Sequence, residues 1–372
     1  MENHKNFTLF ERDLKYLDTL GGFIPEKVFD MHAHLFDRSF LPQTAAPGSI
    51  FTECAPVAGR ASYEQFQCPL YPGIKRLRLN VISTPDGAMA DRSNGLRAHC
   101  NEFLTRHLER NPDDVGEAFV LPDDSDAEIH GLLVHPNIRG FKCYHLTAVK
   151  KPTMQAEIAE YLPESAWRAA DERGLCITLH LVKNAALADP GNLWYIREKA
   201  RAYPSARLVL AHAARGFAAW TALEGAKKVA EFPNIYFDVS AVCEPTAIFA
   251  VLKAAGPKRV LWGSDFPVSM MRGKCVSLAE TFLWLDSPLI EEPAILVGIE
   301  NLGALKQACD MLNISRGSVE DIFTTTQWAC SGLPTCRKGG AVPWTAKRKP
   351  CTKRRRNGRY NERYLKGRRF HR

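Results

Sequence analysis

The chain has 372 residues, 45% hydrophobic and 24% charged, a balance that excludes a collagen, a largely disordered chain and a disulfide-stabilised miniprotein. No apolar run approaches the roughly 20 residues of a membrane span, and the charged N-terminal sequence does not resemble a secretory signal, so we expect a cytoplasmic protein. The net charge of +8 is uneven: residues 324–372 hold 15 basic residues and one acid, whereas residues 1–323 hold 34 basic and 40 acidic residues, which argues against nucleic-acid binding by this larger part.

After a predicted N-terminal extension over residues 1–26, eight short apolar runs alternate with amphipathic stretches. The predicted strands are 27–32, 77–83, 117–121, 139–144, 175–181, 207–211, 235–239 and 259–262. The predicted helices between them include 93–109, 154–173, 193–202, 220–232 and 245–255. Eight strand–helix units predict an α/β fold, a (β/α)8 TIM barrel over residues 27–323. A doubly wound open sheet is the alternative, but no GxGxxG turn follows the first strand.

The first connection, over residues 37–76, is long and rich in Pro, Gly and Ser. Connections of this length are uncommon inside compact domains unless they have a function or a structure of their own. We therefore expect a lid, a binding segment or a small subdomain here.

Imidazoles and a carboxylate lie where the predicted strands end, which is where active sites of such barrels lie. His32 and His34 occupy positions i and i+2 of an extended chain and therefore share one face. His180 ends strand five, His212 ends strand six, and Asp265 follows strand eight. Taken singly, each histidine could be a hydrogen-bonded structural residue and Asp265 a helix N-cap. Taken together they predict a site for one divalent metal, with Zn²⁺ first and Fe²⁺, Co²⁺ or Mn²⁺ as alternatives.

The segments DMHAH, ITLHL, LVLAHA and WGSDFP carry a resemblance to the metal-dependent hydrolases of the amidohydrolase superfamily. Over residues 27–323 the chain most resembles the amidohydrolase-related (amidohydrolase 2) branch, which includes nonoxidative decarboxylases such as aminocarboxymuconate-semialdehyde decarboxylase. The resemblance implies that His32, His34, His180 and Asp265 bind the metal. It also implies that His212 lies near the metal-bound water, so that Asp265 and His212 are the catalytic residues.

Three cations lie near the ends of strands four, five and six. Lys142 stands where binuclear members of the superfamily carry a carbamylated lysine that bridges two metals, so a second metal is one alternative. Contact with a substrate carboxylate and a solvated strand-end lysine are the others. Lys183 and Arg215 lie three residues after His180 and His212. Singly each would more often be a surface charge, but together with Lys142 they predict binding of a small, carboxylate-bearing substrate.

Two reactions fit these residues. A divalent metal lowers the pKa of its bound water toward about 7, Asp265 can accept the proton, and His212 can stabilise the oxyanion or shuttle a proton. Hydrolysis of a C–N or C–O bond in an amide, lactone or ester would follow, and we favour it because the Lys142 position fits hydrolytic relatives. Decarboxylation of an aromatic or unsaturated acid is the alternative, and an inactive barrel that serves as a binding scaffold is a third. A homodimer is the default expectation.

The sequence changes character after Phe323. In the family that the chain resembles, the final helix continues Asp321-Ile322-Phe323 with Tyr-Asn-Asn-Ala and then an apolar segment. Deleting one base from codons for Tyr-Asn-Asn-Ala-Met-Gly-Leu-Phe-Gly-Leu yields Thr-Thr-Thr-Gln-Trp-Ala-Cys-Ser-Gly, which is the sequence of residues 324–332. We therefore hypothesise that residues 324–372 are a disordered basic tail translated out of frame. A functional basic arm is the alternative.

Overall fold

The computed structural model describes residues 7–286 and 294–325. Eight parallel strands pair in chain order around a barrel, as the sequence predicts. Their bounds are β1 Lys27–His34, β2 Arg76–Ile82, β3 Val115–Phe119, β4 Ile138–Cys143, β5 Cys176–Leu179, β6 Arg207–Leu210, β7 Ile235–Asp238 and β8 Val260–Leu261.

The barrel closes between β1 and the segment that follows β8. The amide of Asp265 donates to the carbonyl of His32 at 2.7 Å, and the amide of His34 donates to the carbonyl of Phe266 at 2.9 Å. This seam places Asp265 beside the two histidines of β1, although the residues lie more than 200 positions apart in the sequence.

Helices surround the strands and fill most of the connections. In the described residues they are α1 Glu11–Thr19, α2 Ile50–Glu53, α3 Arg60–Phe66, α4 Leu96–Arg110, α5 Asp126–Leu132, α6 Glu164–Arg173, α7 Pro190–Ala202, α8 Ala211–Arg215, α9 Ala219–Val229, α10 Pro245–Ala255, α11 Val297–Met311 and α12 Arg316–Glu320, with a π-helical turn over Asp321–Thr325. The short α8 differs from the others because its last four residues have positive φ values.

The predicted helix over 154–173 is wrong in its first half. The chain there forms two 3-10 turns, Thr153–Gln155 and Ile158–Glu160, and the α-helix begins only after Pro163. Proline disfavours the helical conformation of the residue before it and has no amide to donate. It is therefore found at the start of this helix, where neither property matters.

The connection over 37–76 is a small structured unit. Phe36–Asp37 pairs antiparallel with Val57–Ala58, and α2 and α3 complete it. Tyr63 of α3 is fully buried, and its hydroxyl donates to Asp30 of β1 at 2.5 Å. The connection is thus packed against the barrel by a polar contact.

A hairpin that the sequence analysis did not predict follows β8. Its strands are β9 Gly273–Leu278 and β10 Thr281–Asp286. The Ser277 hydroxyl donates to the carbonyl of Phe217 at 3.2 Å, and the indole of Trp220 donates to the carbonyl of Glu280 at 3.0 Å. The hairpin is therefore fixed to the chain that follows β6.

The eight cysteines in the described residues are free and buried. None of the helices described has the length and apolar composition that a membrane crossing requires. The first two residues of the predicted basic tail, 324 and 325, belong to the π-helical turn, and residues 326–372 lie outside the described part of the chain.

Candidate metal centre

Three donor atoms meet at the C-terminal ends of β1 and β8. The Nε2 atoms of His32 and His34 lie 3.2 Å apart, and each lies 3.5 Å from Oδ1 of Asp265. All three side chains are buried. Their spacing is that of atoms arranged around one ion.

The other ring nitrogens decide which protonation state these histidines have. Nδ1 of His34 lies 3.1 Å from the carbonyl of Ile82, which can only accept, so Nδ1 carries the proton and Nε2 a lone pair. Nδ1 of His32 lies 2.5 Å from Oδ2 of Asp238, which likewise fixes a free lone pair on its Nε2. Two lone pairs and a carboxylate oxygen that face one another repel unless a cation lies between them. The residues therefore fit a divalent metal.

His180 and His212 stand next to this cluster. The ring centroid of His212 lies 5.1 Å from that of His32 and 5.1 Å from that of His180. Nδ1 of His212 lies 2.9 Å from the carbonyl of Ser240, so its Nε2 is also unprotonated. Nδ1 of His180 is buried and has no hydrogen-bond partner among the described residues. An unpartnered buried nitrogen at this place agrees with the predicted ligand, although His180 lies outside the tight group of three.

Burial sets the charge of these groups. It lowers the pKa of His32, His34 and His180 well below the ordinary value, and that of His212 to about 3. All four imidazoles are therefore neutral near pH 7, which is the form that binds metals. Burial, reinforced by the Asp238 carboxylate, raises the pKa of Asp265 well above its usual range.

Lys142 lies near the end of β4 with only 1% of its surface exposed. The alternative of a solvated lysine is therefore wrong. Burial lowers the pKa of its ammonium, and Glu117 and Asp265 oppose this shift. Its Nζ stands 5.8 Å from the centre of the Tyr144 ring. The side chain is thus held inside the barrel, facing the same centre.

Lys183 and Arg215 differ in their surroundings. Nζ of Lys183 lies 2.7 Å from Glu157 and 3.0 Å from Asp189, so its charge is already balanced. The guanidinium of Arg215 is half-buried over the ring of Phe282, 5.4 Å from its centre, and has no ion pair within residues 7–286 and 294–325. Burial lowers its pKa. Arg215 is the better placed of the two to meet an anion.

Several residues of this site could not be predicted from the sequence motifs. Asp238 and Ser240 at the end of β7 orient His32 and His212. The rings of Tyr144 and His145 lie beside that of His180, at 4.7 and 6.1 Å between centroids. Their position at strand ends could have identified them. Polar residues at the ends of strands four and seven lie in the same barrel mouth as those at strands one, five, six and eight.

A parallel barrel with a His/Asp cluster at the C-terminal strand ends defines a class of barrel enzymes that bind a metal in the mouth. The sequence profile of the family described as Amidohydrolase matches residues 29–287. The chain therefore belongs to the amidohydrolase family and is an enzyme, as the motif resemblance predicts.

Solved structures show the same fold. An amidohydrolase from Burkholderia multivorans with bound zinc superposes with a TM-score of 0.54 at 14% identity, over 83% of this chain and 100% of that chain. The 5-carboxyvanillate decarboxylase of Novosphingobium aromaticivorans, in complex with manganese and 4-hydroxy-3-methoxy-5-nitrobenzoic acid, superposes with a TM-score of 0.53 at 14% identity, over 84% of this chain and 98% of that one. A search of curated proteins found no match.

Proposed function

We propose that the protein is a metal-dependent hydrolase that cleaves a C–N or C–O bond in a small, carboxylate-bearing amide, lactone or ester. The observation that supports the proposal is the cluster of three metal-binding atoms, Nε2 of His32, Nε2 of His34 and Oδ1 of Asp265, which lie within 3.5 Å of one another. One divalent ion would be held there by His32, His34, Asp265 and His180. Zn²⁺ is the first expectation because imidazole nitrogens with a carboxylate suit it, and Fe²⁺, Co²⁺ and Mn²⁺ are the alternatives.

The bound ion would supply Lewis acidity and lower the pKa of water toward about 7. Asp265 accepts the proton of the attacking water and returns it to the leaving group. His212 assists with its Nε2, because the carbonyl of Ser240 holds the ring proton on Nδ1.

The substrate carboxylate pairs with Arg215, whose guanidinium lacks a carboxylate partner among the described residues. Lys142 adds positive charge deeper in the mouth. Lys183, which Glu157 and Asp189 already neutralise, stays a weaker prediction for this role.

Decarboxylation of an aromatic or unsaturated acid is the second candidate. The specific observation in its favour is the ring-lined mouth: Phe217 lies 5.3 Å from the centroids of both His212 and Phe282, and Tyr144 lies beside His180. Flat rings are good partners for an aromatic substrate. The manganese-bound decarboxylase named above, whose ligand is a substituted benzoic acid, lends further support.

One experiment separates the two reactions. Protein loaded with Zn²⁺ or Mn²⁺ is offered lactones, amides, esters and aromatic acids in H₂¹⁸O, and products and CO₂ are analysed by mass spectrometry. Hydrolysis places one ¹⁸O in the product and releases no CO₂, whereas decarboxylation releases CO₂ and adds a solvent hydrogen to carbon. Equal activity in metal-free and loaded protein would contradict both candidates.

The free cysteines also support the expected cytoplasmic location, since such thiols persist in a reducing compartment. A homodimer stays a prediction that gel filtration with light scattering can test.

A further inference from the structure

A left-handed turn joins β6 to the rest of the chain. Residues 212–215 have φ values of 57°, 50°, 59° and 61°, and the ψ values of the first three lie between 43° and 48°. For L-residues this conformation brings Cβ close to the following carbonyl oxygen, so residues other than glycine adopt it singly and rarely in succession. None of the four is glycine, and the turn is therefore strained.

Hydrogen bonds and buried methyl groups hold the turn in place. The amide of Gly216 donates to the carbonyl of His212 at 2.7 Å and closes it. Nδ1 of His212 lies 2.9 Å from the carbonyl of Ser240 and 3.0 Å from its hydroxyl. Ala213 and Ala214 are fully buried, so packed neighbours surround their methyl groups. Strain that surroundings impose in this way is common at functional sites.

The turn lies between two side chains with different proposed roles, those of His212 and Arg215. His212 at its start contacts the metal centre, whereas Arg215 at its end lies over Phe282 in the mouth. A right-handed turn of the same length would carry residues 213–215 around the axis in the opposite sense. It would therefore move the guanidinium of Arg215 away from Phe282.

We propose that Ala213 and Ala214 are positioning residues, and that their left-handed turn sets the distance between the metal centre and Arg215. The enzyme then selects substrates whose carboxylate lies at one fixed distance from the reacting bond. This inference rests on the proposed function for the roles of His212 and Arg215, but the strain of the turn does not depend on it.

Glycine substitutions test the strain. Ala226 of α9 is equally buried in a right-handed helix, so Ala226→Gly loses a methyl contact and helix propensity, and the folding equilibrium constant should fall about tenfold or more. Ala279 lies exposed in the hairpin turn with a φ of 49°. Ala279→Gly should therefore raise the folding equilibrium constant about two- to fivefold. In Ala213→Gly and Ala214→Gly, strain relief offsets the lost methyl contact, and the constant should stay within about threefold of the parent. A loss as large as that of Ala226→Gly would overturn the inference.

Selectivity tests the positioning role. Glycine adopts left-handed and right-handed conformations about equally readily, so the double variant Ala213→Gly/Ala214→Gly no longer restricts the turn to one conformation. The metal-loaded double variant should keep its metal, whereas its kcat/KM for a carboxylate substrate, divided by that for the methyl ester of the same compound, should fall about tenfold. Ala226→Gly should leave this ratio unchanged, because a merely structural loss lowers both rates together. Benzoate, titrated into the same metal-loaded proteins by calorimetry, should bind the double variant about tenfold more weakly than it binds Ala226→Gly.

An unchanged selectivity ratio or unchanged benzoate binding in the double variant would overturn the positioning role. Absence of both hydrolysis and CO₂ release in the parent would contradict the proposed function instead. The unfolding and benzoate measurements would still decide the inference in that case.

Discussion

Hydrogen bonds at Nδ1 leave the Nε2 atoms of His32, His34 and His212 unprotonated. Asp238 fixes His32 through its Oδ2, and the Ser240 hydroxyl donates to the same oxygen at 2.9 Å. That hydroxyl also lies 3.0 Å from Nδ1 of His212. One buried pair, Asp238 and Ser240, thus orients a proposed ligand and a proposed proton carrier together.

Asp238→Asn should weaken metal binding by about 10- to 100-fold, because it removes the charge that holds His32 in its metal-binding tautomer. Competition with a chromogenic chelator measures the affinity. Asp310→Asn, which alters only an exposed pair with Lys306, is the matched control and should leave the affinity unchanged. Equal affinities in the two variants would contradict the orienting role.

Substitutions of His180 and His212 distinguish a metal ligand from a residue that assists the reaction without binding the metal. His180→Ala should lose both metal and activity, whereas His212→Asn should keep the metal and lose about 10²- to 10⁴-fold in turnover. Metal analysis and steady-state rates measure both. If His212→Asn loses as much metal as His180→Ala, His212 is a ligand, and this favours a binuclear site with a carbamylated Lys142. Rescue of Lys142→Ala by short carboxylic acids would support the same conclusion.

His145 should make stability depend on pH. Burial, with Arg215 and Lys151 nearby, lowers the pKa of this imidazole from 6.5 to about 4. Below pH 6.5 the imidazole of His145 binds a proton in the unfolded chain but stays neutral in the folded chain. The free energy of unfolding therefore falls as the pH falls toward 4. From pH 7 to pH 5 this costs about 1–2 kcal/mol. Between pH 7 and pH 5, the free energy of unfolding measured with urea should fall less in His145→Gln than in the parent protein, by that amount. The same pH dependence in both proteins would contradict the assignment to His145.

Among the elements, a buried ion pair connects α1 with the start of the hairpin β9–β10. Arg272, just before β9, lies 2.9 Å from Asp13 of α1 and 3.8 Å from the centre of the Phe10 ring. Asp13 also accepts from the amides of Phe10 and Leu296, at 2.7 and 3.2 Å. The N-terminal extension therefore anchors the base of a hairpin whose Phe282 supports Arg215.

Asp13→Ala should destabilise the protein by about 3–5 kcal/mol, because it leaves the Arg272 charge buried without its partner. Asp310→Ala, which breaks an exposed helical pair, should cost less than about 1 kcal/mol. Chemical denaturation measures both values. Similar small losses in the two variants would show that the extension does not anchor the hairpin.

Local patterns predict the elements that local forces determine. The eight strands could be placed within a few residues because buried parallel strands are short, apolar and separated by helices of regular length. Residue types at strand ends likewise predict the histidine and aspartate cluster. The left-handed turn could not be predicted, because alanine has no preference for positive φ and only tertiary packing imposes it. The ion pairs that neutralise Lys183 also depend on residues brought together by folding.

Across the whole molecule, the metal centre lies at the seam of the barrel. The C-terminal part of the described chain packs close to this seam, because the amide of Trp262, which follows β8, donates to the carbonyl of Ile322 at 3.1 Å. Phe323 is fully buried and stacks on Trp262, with 5.2 Å between ring centroids. The identity of the residues after Phe323 therefore bears on the stability of the entire barrel.

The sequence that follows Phe323 should decide how much apolar surface the C-terminal end of the barrel buries. A version that continues Asp321-Ile322-Phe323 as Tyr-Asn-Asn-Ala-Met-Gly-Leu-Phe-Gly-Leu supplies apolar side chains next to a segment that is already buried. Each large side chain that becomes buried adds about 1.5–3 kcal/mol, so the restored chain should be the more stable in urea, with unchanged metal content. Sequencing of the coding DNA should reveal that alternative frame, ending shortly afterwards. Equal or greater stability of the chain as given, or tight salt-sensitive nucleic-acid binding that requires the basic run 353–356, would contradict the frameshift and favour a functional arm over residues 324–372.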